Sequence, residues 1–207
     1  MPIVNSNSQN IAKARKILRR GGIIIYPTDT LYGLGADIFN KKAIQKIFAI
    51  KGRDFSARGG SASGRQKPIS AMVTDWQDIK KIAVLNKRQG KFMKAILPGP
   101  YTIILKKKKI VNPFLTAGKD TIGIRMPDSM ICQKLTKNLP ITTTSANLSG
   151  QKTTLSGRKL AKIFGNKVDL ILCGPKDPRS RIFRGKNLTG QPSTIIDLTK
   201  LPPKILR

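Results

Sequence analysis

Apolar and polar residues alternate along the chain with two periods, which predict where helices and strands lie. Apolar residues spaced three and four positions apart indicate helices at 6–20, 41–50, 76–83, 86–97, 128–137 and 156–164. Short runs rich in aliphatic and β-branched residues indicate strands at 23–25, 69–73, 101–105, 121–126, 141–144, 168–173, 193–198 and 204–206. Strands alternate with helices without internal repetition, so the sequence predicts one α/β domain with a mixed, twisted sheet flanked by helices.

The stretch GGIIIYPTDTLYGLG at 21–35 is the most informative part of the chain. Pro27 cannot donate a hydrogen bond to a neighbouring strand, so we expect a buried strand to end there and a loop to follow. Thr28, Asp29 and Thr30 come directly after that strand, and open α/β sheets bind ligands beyond the carboxyl ends of their strands. Two interpretations remain open: these side chains contact a ligand, or Asp29 or Thr30 caps the next helix.

The charge of the chain is strongly unbalanced. Of its 207 residues, 40 are lysine or arginine and only 10 are acidic, which gives a formal net charge of +30. All the acidic residues are aspartate, and the chain contains neither glutamate nor histidine. A polyanionic partner such as nucleic acid would explain the charge through counterion release, and a solvated, solubilising surface would explain it equally well.

The residue types that are missing exclude several kinds of chemistry. Without histidine there is no Ser-His-Asp or Cys-His catalysis and no histidine metal site. Cys132 and Cys173 match no CxxC pattern, so we expect free, buried thiols in a reducing compartment. No apolar run approaches the ~20 residues of a membrane span, and the amino terminus lacks the apolar core of a signal peptide. We therefore expect a cytoplasmic protein.

Three predicted elements end in side chains suited to phosphate and amino-acid binding. Hydroxyl groups follow the strand at 23–25, Lys51 and Arg53 follow the helix at 41–50, and Ser145 and Asn147 follow the strand at 141–144. Arginine offers phosphate a bidentate fork, lysine offers it a point charge, and serine and asparagine add directional hydrogen bonds. Together they predict a site for a phosphate compound and an amino acid.

Seven motifs occur in a characteristic order: YPTDTLYGLG, KGR, KP, LPGPYTIIL, TAGKDTIGIRMP, TTTSANLSG and PSTIID. In this combination the chain resembles the YrdC-like family from about 11 to 207, and the single-domain threonylcarbamoyl-AMP synthases most closely. The resemblance implies synthesis of threonylcarbamoyl-AMP from L-threonine, bicarbonate and ATP, with release of pyrophosphate. Partner proteins of tRNA modification would then transfer the group to the adenosine beside the anticodon.

The resemblance also implies roles for individual residues. Thr28, Arg125 and Ser193 would bind threonine, and Lys51, Arg53, Ser145 and Asn147 would carry the catalytic contacts. The ATP site would comprise Lys51, Arg53, Thr121, Thr143, Ser145, Thr153 and Arg207. Magnesium would bridge the ATP phosphates, held mostly by ATP and water, with Asp29 as a candidate helper and no dedicated protein metal site.

Two stretches depart from the family pattern. Thirteen residues separate Arg53 from Lys67, and the segment at 174–191 is longer than the usual link before PSTIID. Both are rich in glycine and basic residues, so we expect irregular basic loops at 54–66 and 174–191 that act as lids, as RNA-contacting arms or as insertions that abolish catalysis. The expected organisation is one domain over 1–207 without a second carboxyl-terminal domain.

Two other functions fit the same fold. A non-catalytic RNA-binding module would explain the charge of +30, although aromatic residues for base stacking make up only 5% of the chain. A carbamoyl-transfer relative would share the fold but normally belongs to a much longer chain. The RNA-binding module is the main alternative to the synthase.

Overall fold

The structure, a computed structural model, describes residues 1–52, 67–174 and 188–207. Its strands are β1 (Ile3–Asn5), β2 (Ile24–Pro27), β3 (Tyr32–Gly35), β4 (Ser70–Met72), β5 (Tyr101–Lys106), β6 (Thr121–Arg125), β7 (Ile141–Ser145), β8 (Leu170–Cys173), β9 (Thr194–Asp197) and β10 (Lys204–Ile205). Its α-helices are α1 (Ser8–Arg19), α2 (Lys41–Ile50), α3 (Trp76–Ile82), α4 (Lys87–Ile96), α5 (Met130–Thr136) and α6 (Gly157–Phe164), and a 3-10 turn spans Gly165–Lys167.

The strands form one ten-stranded mixed sheet in the order β1-β8-β2-β3-β7-β4-β6-β5-β9-β10. Neighbours are parallel in the pairs β1–β8, β2–β8, β4–β6 and β5–β9 and antiparallel elsewhere. The predicted α/β class with a mixed sheet is confirmed. The order of the strands in the sheet differs from their order along the chain. Strands that are distant in sequence therefore supply adjacent side chains at the sheet surface.

Strand β2 is buried on both faces, as its run of isoleucines predicts. Ile23 and Ile25 belong to one apolar cluster, whereas Ile24 and Tyr26 belong to a second cluster. Helices α1 and α5 pack on the second cluster, while α2, α3 and α6 pack on the first. Side chains of a strand point alternately to opposite faces, so a strand covered by two layers must be apolar at every position.

The predicted loop after Pro27 is wrong in part, because β2 and β3 form a hairpin. Pro27 pairs with Tyr32, and the intervening turn is closed by a hydrogen bond from the Thr28 amide to the Leu31 carbonyl at 3.2 Å. The glycines of YGLG weaken its strand signal, and pairing of β3 with β7 supplies the order that local propensity lacks. The helix-capping interpretation of Asp29 and Thr30 is also wrong.

Caps and short elements account for the other differences. Asn40 caps α2 by accepting a hydrogen bond from the Ala43 amide at 3.0 Å. Ser129 caps α5 by accepting a hydrogen bond from the Cys132 amide, and Ser156 caps α6 by accepting one from the Lys159 amide. Strand β1 was not predicted, because three half-buried residues carry no clear period and gain their order from parallel pairing with β8.

Arg15 joins the two helices on the second cluster. Its guanidinium donates hydrogen bonds to the carbonyl groups of Lys134, Leu135 and Lys137 at 3.1, 2.8 and 2.8 Å. The last carbonyls of a helix have no partner within the helix, and a cation at that end also complements the helix dipole. One side chain of α1 therefore completes the end of α5.

Candidate functional site

A cleft of about 550 Å³ lies on one face of the sheet. Alternate residues of the central strands form its floor: Thr121, Gly123 and Arg125 from β6, Thr102 and Ile104 from β5, and Thr143 and Ser145 from β7. The spacing of two places these side chains on a single face. The walls come from the hairpin turn after β2, the end of α2, the turn after β7, and the residues before β9 and after β10.

The structure brings together every predicted site residue that lies in its described part. The lining includes Thr28, Lys51, Thr121, Arg125, Thr143, Ser145, Asn147, Thr153, Ser193 and Arg207. Arg53 lies outside the described residues, as do the predicted loop at 54–66 and positions 175–187 of the second predicted loop. Asp29 does not line the cleft, but it contacts a residue that does.

Several lining residues were not assigned a role from the sequence, among them Lys67, Ser70, Thr102, Lys119 and Ser149. Most of them lie in or beside the quoted motifs, yet a motif does not say which of its residues faces the ligand. Alternation along a strand that already carries a predicted site residue is the signal that identifies them. Thr102 follows in this way from the pairing of β5 with β6, which sets it opposite Arg125.

The cleft is positively charged. The described lining residues include the cations Lys51, Lys67, Lys119, Arg125 and Arg207 and no aspartate, and the whole chain lacks glutamate. Lys51 and Arg125 are buried, whereas Lys67, Lys119 and Arg207 are exposed. Cations on low-dielectric walls with no acid beside them concentrate anions. The arrangement suits a ligand with several negative charges.

Lys51 is held by the turn after β7. Its Nζ, on a residue only 3% exposed, lies 2.9 Å from the carbonyl oxygen of Ser145, 2.6 Å from that of Asn147 and 2.8 Å from Asn147 Oδ1. Ser145 Oγ also donates to Asn147 Oδ1 at 2.7 Å, and Asn147 Nδ2 donates to the Gln151 carbonyl at 2.6 Å. The ammonium group thus fixes the shape of a turn that itself lines the cleft.

Arg125 lines the cleft and is held in place by a buried ion pair. Its Nη2 donates to Asp29 Oδ1 at 2.6 Å and to the hydroxyl of Thr30, and Asp29 Oδ2 accepts from the Asp128 amide at 3.2 Å. The side chains of the ion pair are 9% and 8% exposed. Among the described residues, the buried Nε of Arg125 has no hydrogen-bond partner. A buried donor without a partner is costly, so this nitrogen is an unsatisfied group beside the ion pair.

The glycines of β3 make room for Tyr26. A Cβ atom on Gly33 or Gly35 would lie 2.7 Å from the Tyr26 ring. These two glycines therefore allow the close approach of an aromatic ring from the neighbouring strand. The Tyr26 hydroxyl donates to the Thr142 carbonyl at 3.1 Å, and burial raises its pKa above the usual range. Tyr26 thus supports the hairpin from behind the cleft.

Both cysteines are free and buried, as predicted. Burial raises the pKa of the Cys132 thiol to about 12, and its Sγ lies 3.4 Å from the Pro27 carbonyl oxygen. A thiol with that pKa is protonated at neutral pH and is a poor nucleophile. Cys132 packs beneath the hairpin and takes no part in the cleft.

Within the described residues, no group of three or more metal-ligating side chains occurs. Asp29, the candidate helper for magnesium, already uses both carboxylate oxygens, one on Arg125 and one on the Asp128 amide. In the same part of the chain, no helix combines the length and the apolar character that crossing a membrane requires.

The fold and the cleft define an α/β protein that carries a basic ligand site on the face of a mixed sheet. The model of the family comprising Sua5, YciO and YrdC, described as "Telomere recombination", matches residues 16–207. The chain belongs to this family, and the resemblance stated from its motifs is confirmed.

Named relatives agree with this assignment. A protein of Methanocaldococcus jannaschii with the provisional name threonylcarbamoyl-AMP synthase is 40% identical over 184 residues, covering 89% of this chain and 78% of its own length. The threonylcarbamoyl-AMP synthase of Pyrococcus abyssi is 32% identical over 197 residues, covering 94% of this chain. The chain spans only 52% of the length of that relative.

A solved structure extends the likeness to three dimensions. The crystal structure of P. abyssi Sua5 complexed with L-threonine matches with a TM-score of 0.85 at 30% identity. The match covers 100% of this chain and 57% of that one.

Proposed function

We propose that the chain synthesises threonylcarbamoyl-AMP from L-threonine, bicarbonate and ATP and releases pyrophosphate. The observation that carries the proposal is the cleft itself, in which the described lining residues supply cations, the buried Arg125 among them, and no acid. The relatives support the synthase over a non-catalytic RNA-binding module, because those named for an activity are named as synthases. Membership of the family supplies the reaction, and the cleft supplies the means of holding its reactants.

Arg125 and Thr28 are placed for the amino acid. The Arg125 guanidinium would pair with the threonine carboxylate, since an arginine and a carboxylate form strong charge-assisted hydrogen bonds. Asp29 and Thr30 both accept from Arg125 Nη2 and so restrict the guanidinium to one orientation. This end of the cleft would bind threonine with its carboxylate innermost.

Lys51 and the turn after β7 are placed for the nucleotide. The ammonium group of Lys51 brings a positive charge to the cleft wall while holding Ser145 and Asn147 in position. Thr121, Thr143, Thr153 and Arg207 would surround the rest of ATP, and Arg53 would add a second cation beside Lys51. Magnesium would enter with ATP, coordinated by phosphate oxygens and water, and would neutralise phosphate charge.

The chemistry needs placement more than proton transfer. The amine of threonine takes up carbon dioxide from bicarbonate as a carbamate and loses a proton to solvent. A carbamate oxygen then attacks the α-phosphorus, a P–O bond forms, and the bond to the leaving pyrophosphate breaks. Oriented reactants and cations near the phosphates supply most of the acceleration in such a reaction. A chain without histidine can therefore carry it out.

The direct test is pyrophosphate release from the full chain with threonine, bicarbonate, ATP and magnesium. We expect release that requires threonine and bicarbonate together, and we expect Arg125→Gln to lower it. Release no faster than in the absence of protein, with the protein folded and ATP intact, would overturn the proposal in favour of the RNA-binding module.

The positive surface would make nucleic acid a further partner, without selectivity of its own. Lysine and arginine bind phosphates and release counterions, so affinity should fall steeply as salt rises. A competition titration of an ANN-decoding tRNA against an unrelated RNA duplex tests this at two salt concentrations. A preference for the tRNA that persists at the higher concentration would show specific recognition and contradict this view.

A further inference from the structure

Two buried hydroxyl groups face each other at the floor of the cleft. Thr102 of β5 and Ser193, which directly precedes β9, are each 5% exposed, and both line the cleft. Their oxygens lie 2.8 Å apart, and either can donate to the other. Each hydroxyl carries one proton, so the contact uses one and leaves the second. Among the described residues neither hydroxyl has another hydrogen-bond partner.

The hydroxyl pair lies beside the arginine proposed to bind the amino acid. Thr102 is directly opposite Arg125 in the β5–β6 register. Directly opposite residues on one face of an antiparallel pair have Cβ atoms about 5 Å apart. Arg125 itself lines the same cleft. A small ligand whose carboxylate pairs with the Arg125 guanidinium therefore has its next atoms within reach of the two hydroxyls.

The position of Ser193 is set by its backbone. The Arg207 guanidinium donates to the Ser193 carbonyl from Nε at 3.2 Å and from Nη2 at 3.1 Å. The next residue, Thr194, donates its amide to the Pro100 carbonyl at 3.0 Å. Hydroxyl groups held in this way lose little further freedom when a ligand binds, which favours selective hydrogen bonding.

We propose that the Thr102–Ser193 hydroxyl pair recognises the side-chain hydroxyl of the amino-acid substrate. The inference rests on the proposed function and makes Thr102 a specificity residue of the same site. A ligand hydroxyl accepts the proton that the pair does not use and donates its own proton in return. A methyl group at the same place leaves a buried O–H without a partner, and an unpaired buried polar group is unfavourable. The pair thus favours threonine over its isostere valine.

The test measures the affinities of the full chain for threonine and for valine by calorimetric titration. The variants are Thr102→Val, Ser193→Ala and the conservative Thr102→Ser. Thr194→Val is the matched control: it makes the same change of hydroxyl to methyl at the next position of β9, whose side chain does not line the cleft. Thermal unfolding of each variant checks that it is folded.

We expect the wild type, the Thr194→Val control and Thr102→Ser to prefer threonine. In Thr102→Val and Ser193→Ala the ratio of the two affinities should shrink about tenfold, because a neutral hydrogen bond is lost. The inference is overturned if the ratio is unchanged, or if both amino acids lose affinity equally, which would place the pair on the carboxylate. A wild type that binds no threonine would overturn the proposed function itself, and the inference with it.

Discussion

Lys51 Nζ lies 2.6 Å from the carbonyl oxygen of Asn147 and 2.8 Å from its side-chain Oδ1. One lysine at the end of α2 therefore contacts both the backbone and the side chain of one asparagine. The two residues are 96 positions apart in the chain. The resemblance to the family predicts that both contact the nucleotide. The structure adds that they form one unit, in which a buried cation holds the backbone of a ligand-lining turn.

Replacing Lys51 with alanine should therefore affect folding as well as binding. It leaves three acceptor oxygens without their cation, and a buried acceptor that loses its partner costs about 1–3 kcal/mol. We expect the free energy of unfolding to fall by about 2 kcal/mol or more and ATP affinity to fall with it. Chemical denaturation and ATP titration measure the two effects. The control is Lys46→Ala, an exposed lysine of the same helix, and a Lys51 variant as stable as this control would contradict the anchoring role.

Replacing Asp29 with asparagine should loosen Arg125. The change removes the charge from a buried ion pair with a 2.6 Å contact, and breaking such a pair typically costs about 3–5 kcal/mol. Since asparagine keeps one oxygen, we expect a smaller loss of stability, a clear rise in the KM for threonine and little change in the KM for ATP. Steady-state kinetics separate the two. An equal rise in both constants would mean that Asp29 supports the cleft as a whole and does not orient Arg125.

A methyl group at Gly123 should clash with Ser70 at the floor of the cleft. An added Cβ would lie 2.3 Å from Ser70 Oγ and 3.0 Å from Ser70 Cβ, distances at which atoms must move apart. We expect Gly123→Ala to lower both stability and ligand affinity. The double variant Gly123→Ala with Ser70→Gly removes both close contacts and should recover most of the stability. Denaturation of the two variants and the wild type is decisive: a double variant no better than the single one rules out this clash as the cause.

Asp78 should make stability depend on pH. The residue is 1% exposed, and its Oδ2 has no partner among the described residues. Desolvation by burial raises its pKa, against a weaker opposing effect of the hydrogen bond from Lys81. A raised pKa in the folded state means that the stability present below the ordinary pKa is lost as the pH rises through the folded value.

Asp78→Asn removes the loss of stability that the ionisation of Asp78 causes as the pH rises. We therefore expect the variant to gain stability relative to the wild type as the pH rises from 4 to 8, and to show little difference from it at the acidic end. Thermal unfolding across this range provides the measurement, with Asp120→Asn at an exposed aspartate as the control. A difference between Asp78→Asn and wild type that stays constant with pH would show that Asp78 is not the group responsible.

The local pattern of the sequence was sufficient for elements whose own periodicity defines them. Helix α2 was predicted with its observed bounds because Ala43, Ile44, Ile47 and Phe48 form one apolar stripe. The predicted end of α6 at Phe164 matches the structure, and Ser156 caps its start. Such signals act within a turn or two of helix, so no distant residue is needed to read them.

The motifs were sufficient to collect the candidate site residues that the structure describes, but not to show how they are connected. Strands β1 and β3 exist because β8 and β7 pair with them, and neither pairing can be read from three or four residues. That Thr102 lies opposite Arg125 is set by the register between β5 and β6, which the sequence alone does not show. The reason is physical: strand order, register and the partner of a buried charge are chosen by the free energy of the whole packed sheet, which joins residues about a hundred positions apart.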